Sequence, residues 1–271
     1  QDELMMEGMN EKGLSAGLFY FPDYGKYEEY SETNYETNIS DFQLVSYILG
    51  RCATVDEVKA EIARVHIHGF DPRSSTVHWR FAEPSGRQIV LEIIDGKCVF
   101  YENKLGVLTN SPSFDWQLTN LNNYVNLMPG RTEPHTIGNM SLSSFGGGSA
   151  MIGLPGDFTP PSRFVRAAFF QSTAPQKPDA EGSVFTAFHI LGSMEIPIGA
   201  QFPVDETPAD IPSATQCTCV TDMSGLKFYY RSMYDGGIRC IDLKEIDFKK
   251  IGLKSEPLVP SKREFVHHIR F

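Results

Sequence analysis

A chain of 271 residues, 41% hydrophobic and 21% charged, has the composition of an ordinary soluble globular protein. It is long enough to bury a sizeable core without disulfides or metals, and we predict one domain over residues 1–271. The net charge of −10 opposes binding to nucleic acid, and no apolar run is long enough to span a membrane. The five cysteines are odd in number and widely spread, which indicates a reducing compartment rather than a disulfide framework.

The first part of the chain predicts a buried strand, two helices and a meander of strands. Residues 8–22 indicate a turn and a buried strand, residues 23–39 an exposed loop, and Asp41–Leu49 a short helix that ends at Gly50. A second helix follows, because Thr54–Glu57 matches a capping box and apolar residues continue at helical spacing. Alternating apolar residues and turn signals then indicate strands at Val77–Phe81, Ile89–Ile93, Cys98–Tyr101 and Gly106–Thr109.

The rest of the chain predicts helices around a long loop, followed by strands. Residues 112–127 indicate a helix with Ser111 as N-cap and Pro112 in the first turn. Its expected buried face consists of Phe114, Leu118, Leu121 and Val125. Residues 129–161 are rich in Gly, Pro and Ser, and a loop of this length is typical of a functional or assembly element. Further helices are expected at Ser162–Gln171 and Val184–Leu191, and further strands at Cys217–Thr221, Leu226–Ser232 and Ile238–Leu243. This order predicts an α+β fold with antiparallel sheets.

Two polar residues lie where an irregular turn meets a helix, a place that suits a catalytic group. Asn110 precedes Ser-Pro at an expected strand end, where its amide fits either an Asx-turn or an oxyanion-hole donor. Arg163 and Arg166 share one face of the expected helix. That face is either a solvated surface or one on which the arginines are buried. Their apolar neighbours favour burial of at least one, and a buried guanidinium would lower the pKa of a nearby amine or thiol.

Metal and cofactor signals are weak. His66 and His68 point to one side of an expected strand, and so do Cys217 and Cys219. Two ligands without a third and a fourth do not define a metal site, so we expect neither a metal nor a cofactor. The sequence also lacks the phosphate-binding glycine loop, the zinc-protease motif and the serine-hydrolase elbow.

Three groups of motifs resemble one family when they are taken together. They are Gly8–Leu14 (GMNEKGL), Leu108–Pro112 (LTNSP) with Asn120–Tyr124, and Gly153–Asp157 (GLPGD) with Ser162–Phe164. In this order they resemble the choloylglycine hydrolase and penicillin V acylase family of N-terminal-nucleophile hydrolases, over nearly the whole chain. The resemblance implies a four-layer αββα sandwich, in which two antiparallel sheets lie between helix layers.

The resemblance also implies an activity and a set of site residues. Enzymes of this family cleave small N-acyl amides through an N-terminal cysteine that forms an acyl-enzyme, and its α-amino group is the general base. Asn110 matches the oxyanion-hole asparagine, Tyr20 falls where a backbone N–H joins the same hole, and Arg163 matches the arginine near the nucleophile. The segment around 135–161 resembles the loop that forms a homotetramer in this bacterial family. Conjugated bile salts, penicillin V and acyl-homoserine lactones are the substrate classes implied, and Tyr20 favours penicillin V acylase-like chemistry.

The chain departs from the family at its start. It begins with Gln1, and Gly8 aligns well inside the family's domain, so the opening strands with the nucleophilic cysteine are expected on a separate segment. Without that segment we expect this chain to be inactive and to leave a sheet edge unpaired. The alternative is a catalytically silent binding or assembly subunit of the same fold. Residues 1–7 do not form a signal peptide, so the protein is expected in the cytoplasm, or in the periplasm or outside if a signal was removed upstream.

Overall fold

The computed structural model describes residues 4–71, 74–209, 212–258, 262–266 and 268–269. Its strands, in chain order, are β1 (Glu7–Met9), β2 (Ser15–Tyr20), β3 (Asn38–Ser40), β4 (His66–His68), β5 (Val77–Ala82), β6 (Gln88–Ile94), β7 (Lys97–Glu102), β8 (His135–Ile137), β9 (Met140–Leu142), β10 (Cys217–Asp222), β11 (Lys227–Ser232) and β12 (Asp235–Asp242). Its α-helices are α1 (Leu44–Leu49), α2 (Val55–Ile62), α3 (Phe114–Asn120), α4 (Pro160–Thr173) and α5 (Ala180–Gly192).

The largest sheet has five antiparallel strands in the order β1-β2-β5-β6-β7. Helices α1 and α2 pack on one of its faces and form the main hydrophobic core with it. Trp79 and Phe81 of β5 and Leu91 of β6 are completely buried there, together with Val45 of α1 and Val58 of α2. Burial of so many apolar side chains is the main stabilising contribution to this half of the molecule.

A second antiparallel sheet has the order β10-β11-β12, and α5 packs against it. Val184 and Phe188 of α5 are buried against Tyr229 of β11. Two antiparallel sheets, each covered by helices, confirm the predicted α+β class. Within the described residues there are also a hairpin, β8–β9, and a short parallel pair, β3–β4. The parallel pair corrects the expectation of an exposed loop over residues 23–39, because Asn38 and Ile39 belong to β3.

The turn before β2 shows why the Gly8–Leu14 motif has its sequence. Asn10 donates to the carbonyl oxygens of Leu49 and Cys52 and accepts from the backbone N–H groups of Lys12 and Leu14. Gly13 has a φ of +80°, and a Cβ there would lie 2.5 Å from the Met223 carbonyl oxygen. The motif is therefore structural: it joins the turn to α1 and to the β10–β11 hairpin.

Two predicted elements are wrong. Residues 106–109 form no strand, because the side chain of Asn103 binds the backbone of Gly106 and Val107 and holds a loop. The third helix begins at Phe114, two residues later than predicted, and the Ser111 hydroxyl donates to the Pro22 carbonyl oxygen rather than capping it. The helix tightens into a 3-10 turn after Asn120, and of the four residues expected on its buried face Leu118 and Val125 are exposed.

Candidate active site

Asn110 lies in the loop between β7 and α3, and its side chain joins two other elements. Its Nδ2 donates to the Tyr20 carbonyl oxygen at the end of β2, at 2.8 Å. Its Oδ1 accepts from Nη2 of Arg163 on α4, also at 2.8 Å. The structure thus brings together the three residues that the sequence singled out. One hydrogen of the Asn110 amide remains beyond the bond to Tyr20.

The backbone N–H of Tyr20 points to the same side as the Asn110 amide. Phe21 N donates to Thr76 O at 2.8 Å, so Phe21 and Thr76 are a hydrogen-bonded pair and the adjacent Tyr20–Val77 pair is not. The backbone groups of Val77 likewise point away from β2, and the hydroxyl of Tyr27 binds both of them on the other edge of β5. In a β-strand the N–H and C=O of one residue point the same way, so the Tyr20 N–H faces the side where Asn110 meets its carbonyl.

Arg163 is held at both ends of its guanidinium. Its Nε donates to the Phe158 carbonyl oxygen at 2.9 Å, just before α4 begins. Burial, and then the positive charge of Arg166, lower the pKa of Arg163 from its ordinary value. Because a guanidinium can only donate, its bond to Oδ1 fixes the Asn110 amide with the oxygen toward Arg163 and the nitrogen toward Tyr20.

Arg166, one turn further along α4, is a structural arginine. It is 5% exposed, and its Nη1 donates to the carbonyl oxygens of Pro155 and Asp157. The prediction that at least one of the two arginines is buried is therefore confirmed. The Asp157 carboxylate accepts from the side chains of Thr159 and Ser162, and these hydrogen bonds lower its pKa to about 2. The Gly153–Asp157 motif thus fixes the start of α4 and with it the position of Arg163.

A cleft of about 480 Å³ opens beside Arg163. Phe19 and Arg80 line it from the large sheet, and Cys217 and Cys219 line it from β10. The hydrogen bond that Cys219 donates lowers the pKa of Cys217 to about 7 and raises that of Cys219. Across the described part of the chain, no three His, Cys, Asp or Glu side chains come together as metal ligands would, and no helix has the length and apolar character to cross a membrane.

A buried histidine–glutamate pair behind the site was not singled out from the sequence. His78 of β5 and Glu92 of β6 are both completely buried, with Nδ1 and Oε1 3.1 Å apart. The apolar alternation of Val77, Trp79 and Phe81 assigns the opposite face of β5 to polar residues, so His78 resembled a surface residue. The available signal was a glutamate within the apolar run Ile89–Ile94 and a histidine between Val77 and Trp79.

The comparisons with known proteins agree with this fold and with the family that the motifs resemble. The family of linear amide C–N hydrolases described as choloylglycine hydrolases matches residues 1–256. The chain is 34% identical over 244 residues to a bile salt hydrolase/transferase of Clostridium perfringens, covering 88% of this chain and 72% of that protein. It is 30% identical over 268 residues to a penicillin V acylase of Pectobacterium atrosepticum, covering 91% of this chain and 64% of that protein.

A solved structure extends the similarity to three dimensions. A cysteine-to-alanine mutant of conjugated bile acid hydrolase from Clostridium perfringens superposes with a TM-score of 0.85 at 31% identity, covering 98% of this chain and 80% of that one. Fold and sequence together define a linear amide hydrolase of the α+β class. The chain belongs to the choloylglycine hydrolase family.

Proposed function

We propose that Asn110 and the backbone N–H of Tyr20 form the oxyanion hole of an enzyme that hydrolyses small N-acyl amides. The observation that carries this proposal is the geometry of Asn110, whose amide nitrogen is turned toward Tyr20 by the Arg163 guanidinium. Two N–H donors on one side, fixed before substrate binds, suit an oxygen that becomes negatively charged. An Asx-turn alone would not require a half-buried cation on the amide oxygen.

The proposed reaction uses an N-terminal cysteine as nucleophile. Its α-amino group takes the thiol proton, and the sulfur attacks the amide carbonyl carbon. The carbonyl oxygen becomes an oxyanion that the Asn110 and Tyr20 N–H groups stabilise. The C–N bond breaks, the leaving amine takes the proton, and a thioester remains. Water then attacks the thioester, releases the acid and regenerates the cysteine. No cofactor or metal enters any of these steps.

The cleft beside Arg163 is where we place the segment that carries the cysteine. The cleft separates the large sheet from β10, whose second edge pairs with no strand among the described residues. A strand added there would satisfy that edge and bring its end close to Arg163. The guanidinium charge would favour the thiolate of a nearby cysteine and the neutral form of its amine.

The substrate class follows from the relatives, one named for bile salts and one for penicillin V. Tyr20 is 56% exposed, so its ring is free to contact an acyl group at the site. Penicillin V acylase-like chemistry is our first choice because of this tyrosine, and glycocholate and an acyl-homoserine lactone are the comparison substrates. If the full-length protein with an intact N-terminal cysteine hydrolysed none of the three, the proposed activity would be rejected.

Asn110→Ala in the full-length enzyme tests the proposed role directly. Loss of an oxyanion-hole donor should lower kcat by about 10²–10³-fold with little change in folding. Asn122→Ala is the matched control, because Asn122 is an exposed asparagine just after α3 whose amide donates to the Thr119 carbonyl oxygen. An unchanged kcat in Asn110→Ala would return Asn110 to a turn role.

The competing proposal is a catalytically silent subunit of the same fold, which would bind ligand or partner without cleaving an amide. Intact mass and N-terminal sequencing of the purified protein separate the two. A chain or companion fragment that begins with cysteine supports the hydrolase. A single species that begins at Gln1, with no companion, supports the silent subunit.

A further inference from the structure

The His78–Glu92 pair needs an explanation beyond stability. Both side chains are completely buried, and burying two ionisable groups gains little over an apolar pair of similar volume. Each group is nevertheless used for a contact that an apolar residue could not make. Those contacts all lie on the segments that carry Asn110 and Tyr20.

The pair binds the Asn110 loop on both sides of Asn110. His78 Nε2 lies 3.0 Å from the Thr109 carbonyl oxygen, and because a carbonyl only accepts, Nε2 carries a proton and donates it. Glu92 Oε1 accepts from the Phe114 backbone N–H at 2.9 Å. The residue before Asn110 and the first residue of α3 are therefore fixed to neighbouring strands of the large sheet.

The same imidazole ring contacts the strand that carries Tyr20. It stacks on Phe21, with ring centroids 4.5 Å apart and planes 11° apart, and meets Phe19 edge-on at 6.1 Å. Phe19 and Phe21 are the residues on either side of Tyr20. One ring thus touches both segments that supply the proposed oxyanion hole.

We propose that His78, held by Glu92, is a positioning residue that fixes the distance between the Asn110 amide and the Tyr20 N–H. The inference rests on the proposed function, since it assigns His78 to the oxyanion hole. A displacement of about 1 Å at such a site costs up to about 100-fold in rate. Thr109 also donates through Oγ1 to the Pro160 carbonyl oxygen at 3.1 Å, so the residue that His78 binds is in turn bonded to the start of α4, the helix that carries Arg163.

The test is a double-mutant cycle in the full-length enzyme. His78→Phe combined with Glu92→Gln keeps the ring and leaves no unpaired charge, but removes the bond to Thr109. We expect kcat to fall by about 10- to 100-fold with KM nearly unchanged. In an Asn110→Ala background the same pair of changes should cost less than about 3-fold, because the group it positions is gone. Glu92→Gln alone keeps the acceptor for Phe114 and should retain most of the activity.

Two further variants keep the proposal testable. Phe21→Leu removes the stacked ring without burying a charge. It should lower kcat by less than the His78→Phe and Glu92→Gln pair does, and only when Asn110 is present. Asn10→Ala is the control for a purely structural loss, because Asn10 makes four backbone hydrogen bonds at the opposite end of β2. It should lower the melting temperature without changing kcat.

The outcomes separate the two proposals. Suppose that Asn110→Ala lowers kcat, but that His78→Phe with Glu92→Gln, and Phe21→Leu, lower kcat equally with and without Asn110. The positioning role would then be overturned and the proposed function would stand. If Asn110→Ala itself left kcat unchanged, the proposed function would fail and this inference with it. A loss of kcat that occurs when Asn110 is present, and not in the Asn110→Ala background, supports the positioning role of His78.

Discussion

In the proposed oxyanion hole, Arg163 would act through the Asn110 amide that it holds. The sequence suggested an arginine that tunes the nucleophile, and the structure adds a direct bond from Nη2 to Asn110 Oδ1. A primary amide presents an oxygen on one side and a nitrogen on the other, and an Asn110 turned over would present an acceptor to the oxyanion. The guanidinium prevents that rotation, because Oδ1 is the only atom of the Asn110 amide that can accept from it.

Arg163→Lys tests this orienting role at the scale of one residue. Lysine has a single donor group and cannot bind both Phe158 O and Asn110 Oδ1 with the fixed geometry of a guanidinium. Losing a hydrogen bond from a charged group costs about 1.5–3 kcal/mol, so we expect kcat to fall by about 10- to 150-fold. Steady-state kinetics of the full-length enzyme give the measurement.

Arg64→Lys, in the exposed turn after α2, is the control for the arginine-to-lysine change and should leave kcat unaltered. Retention of full activity in Arg163→Lys would show that a positive charge is sufficient and that Asn110 is oriented by other contacts.

At the scale of elements, local signals predicted some helix starts and tertiary contacts decided others. The capping box at α2 was predicted and is confirmed: Thr54 Oγ1 accepts from Glu57 N, and the Glu57 carboxylate accepts from Thr54 N. The start of α3 was predicted two residues early, because its first N–H is bound by Glu92, twenty-two residues earlier in the chain. A pattern within ten residues contains no information on that partner.

Thr54→Ala should lower the free energy of unfolding by about 1 kcal/mol, since it leaves the Glu57 N–H without its acceptor. Urea denaturation of the variant and the parent measures the difference. Thr119→Ala is the comparison, because Thr119 is an exposed helical threonine whose hydroxyl bonds back to Asp115 O. Equal losses in both variants would contradict a specific role for the cap.

Asp157 gives α4 a pH-dependent start. Its pKa is lowered from 3.8 to about 2 by the hydrogen bonds that Thr159 and Ser162 donate. Because the folded-state pKa lies below the unfolded one, the carboxylate contributes stability above about pH 4, and that contribution is lost as the pH falls toward 2. Asp157→Asn should therefore melt below the parent at pH 6, and the gap should narrow between pH 5 and pH 3. A gap that stays constant over this range would count against the assignment.

At the scale of the whole molecule, the sequence was sufficient for the fold class but not for long-range pairing. Alternation and turn signals predicted most strands of both sheets but missed β1, where a turn was expected. Asn110, Tyr20 and Arg163 were named together by resemblance and do lie together, and their catalytic roles stay predictions. The parallel pair of β3 with β4 was missed, because β3 lies in a segment expected to be a loop and no local pattern indicates which strand pairs with His66–His68. His78 and Glu92 were missed because their burial depends on what packs over the second face of the sheet.

The hairpin β8–β9 and its surroundings expose apolar side chains that a monomer would bury. Ile137, Met140 and Ile152 are each more than 60% exposed, and Phe145 is fully exposed beside a pocket of about 430 Å³. Several large exposed apolar side chains on one short segment indicate a contact with another molecule. The occupant we propose is a second copy of the chain, in agreement with the homotetramer that the family resemblance implies for the segment around 135–161.

Ile137→Glu combined with Phe145→Ser should therefore reduce the size of the assembly. Two charges per subunit pair would have to be buried without partners, which is unfavourable enough to separate an interface. Light scattering after gel filtration should show a tetramer for the parent protein and a dimer or monomer for the variant. Val204→Glu is the control, because Val204 is 91% exposed and lies outside the hairpin. Equal molar masses for all three proteins would place the subunit contact on another surface.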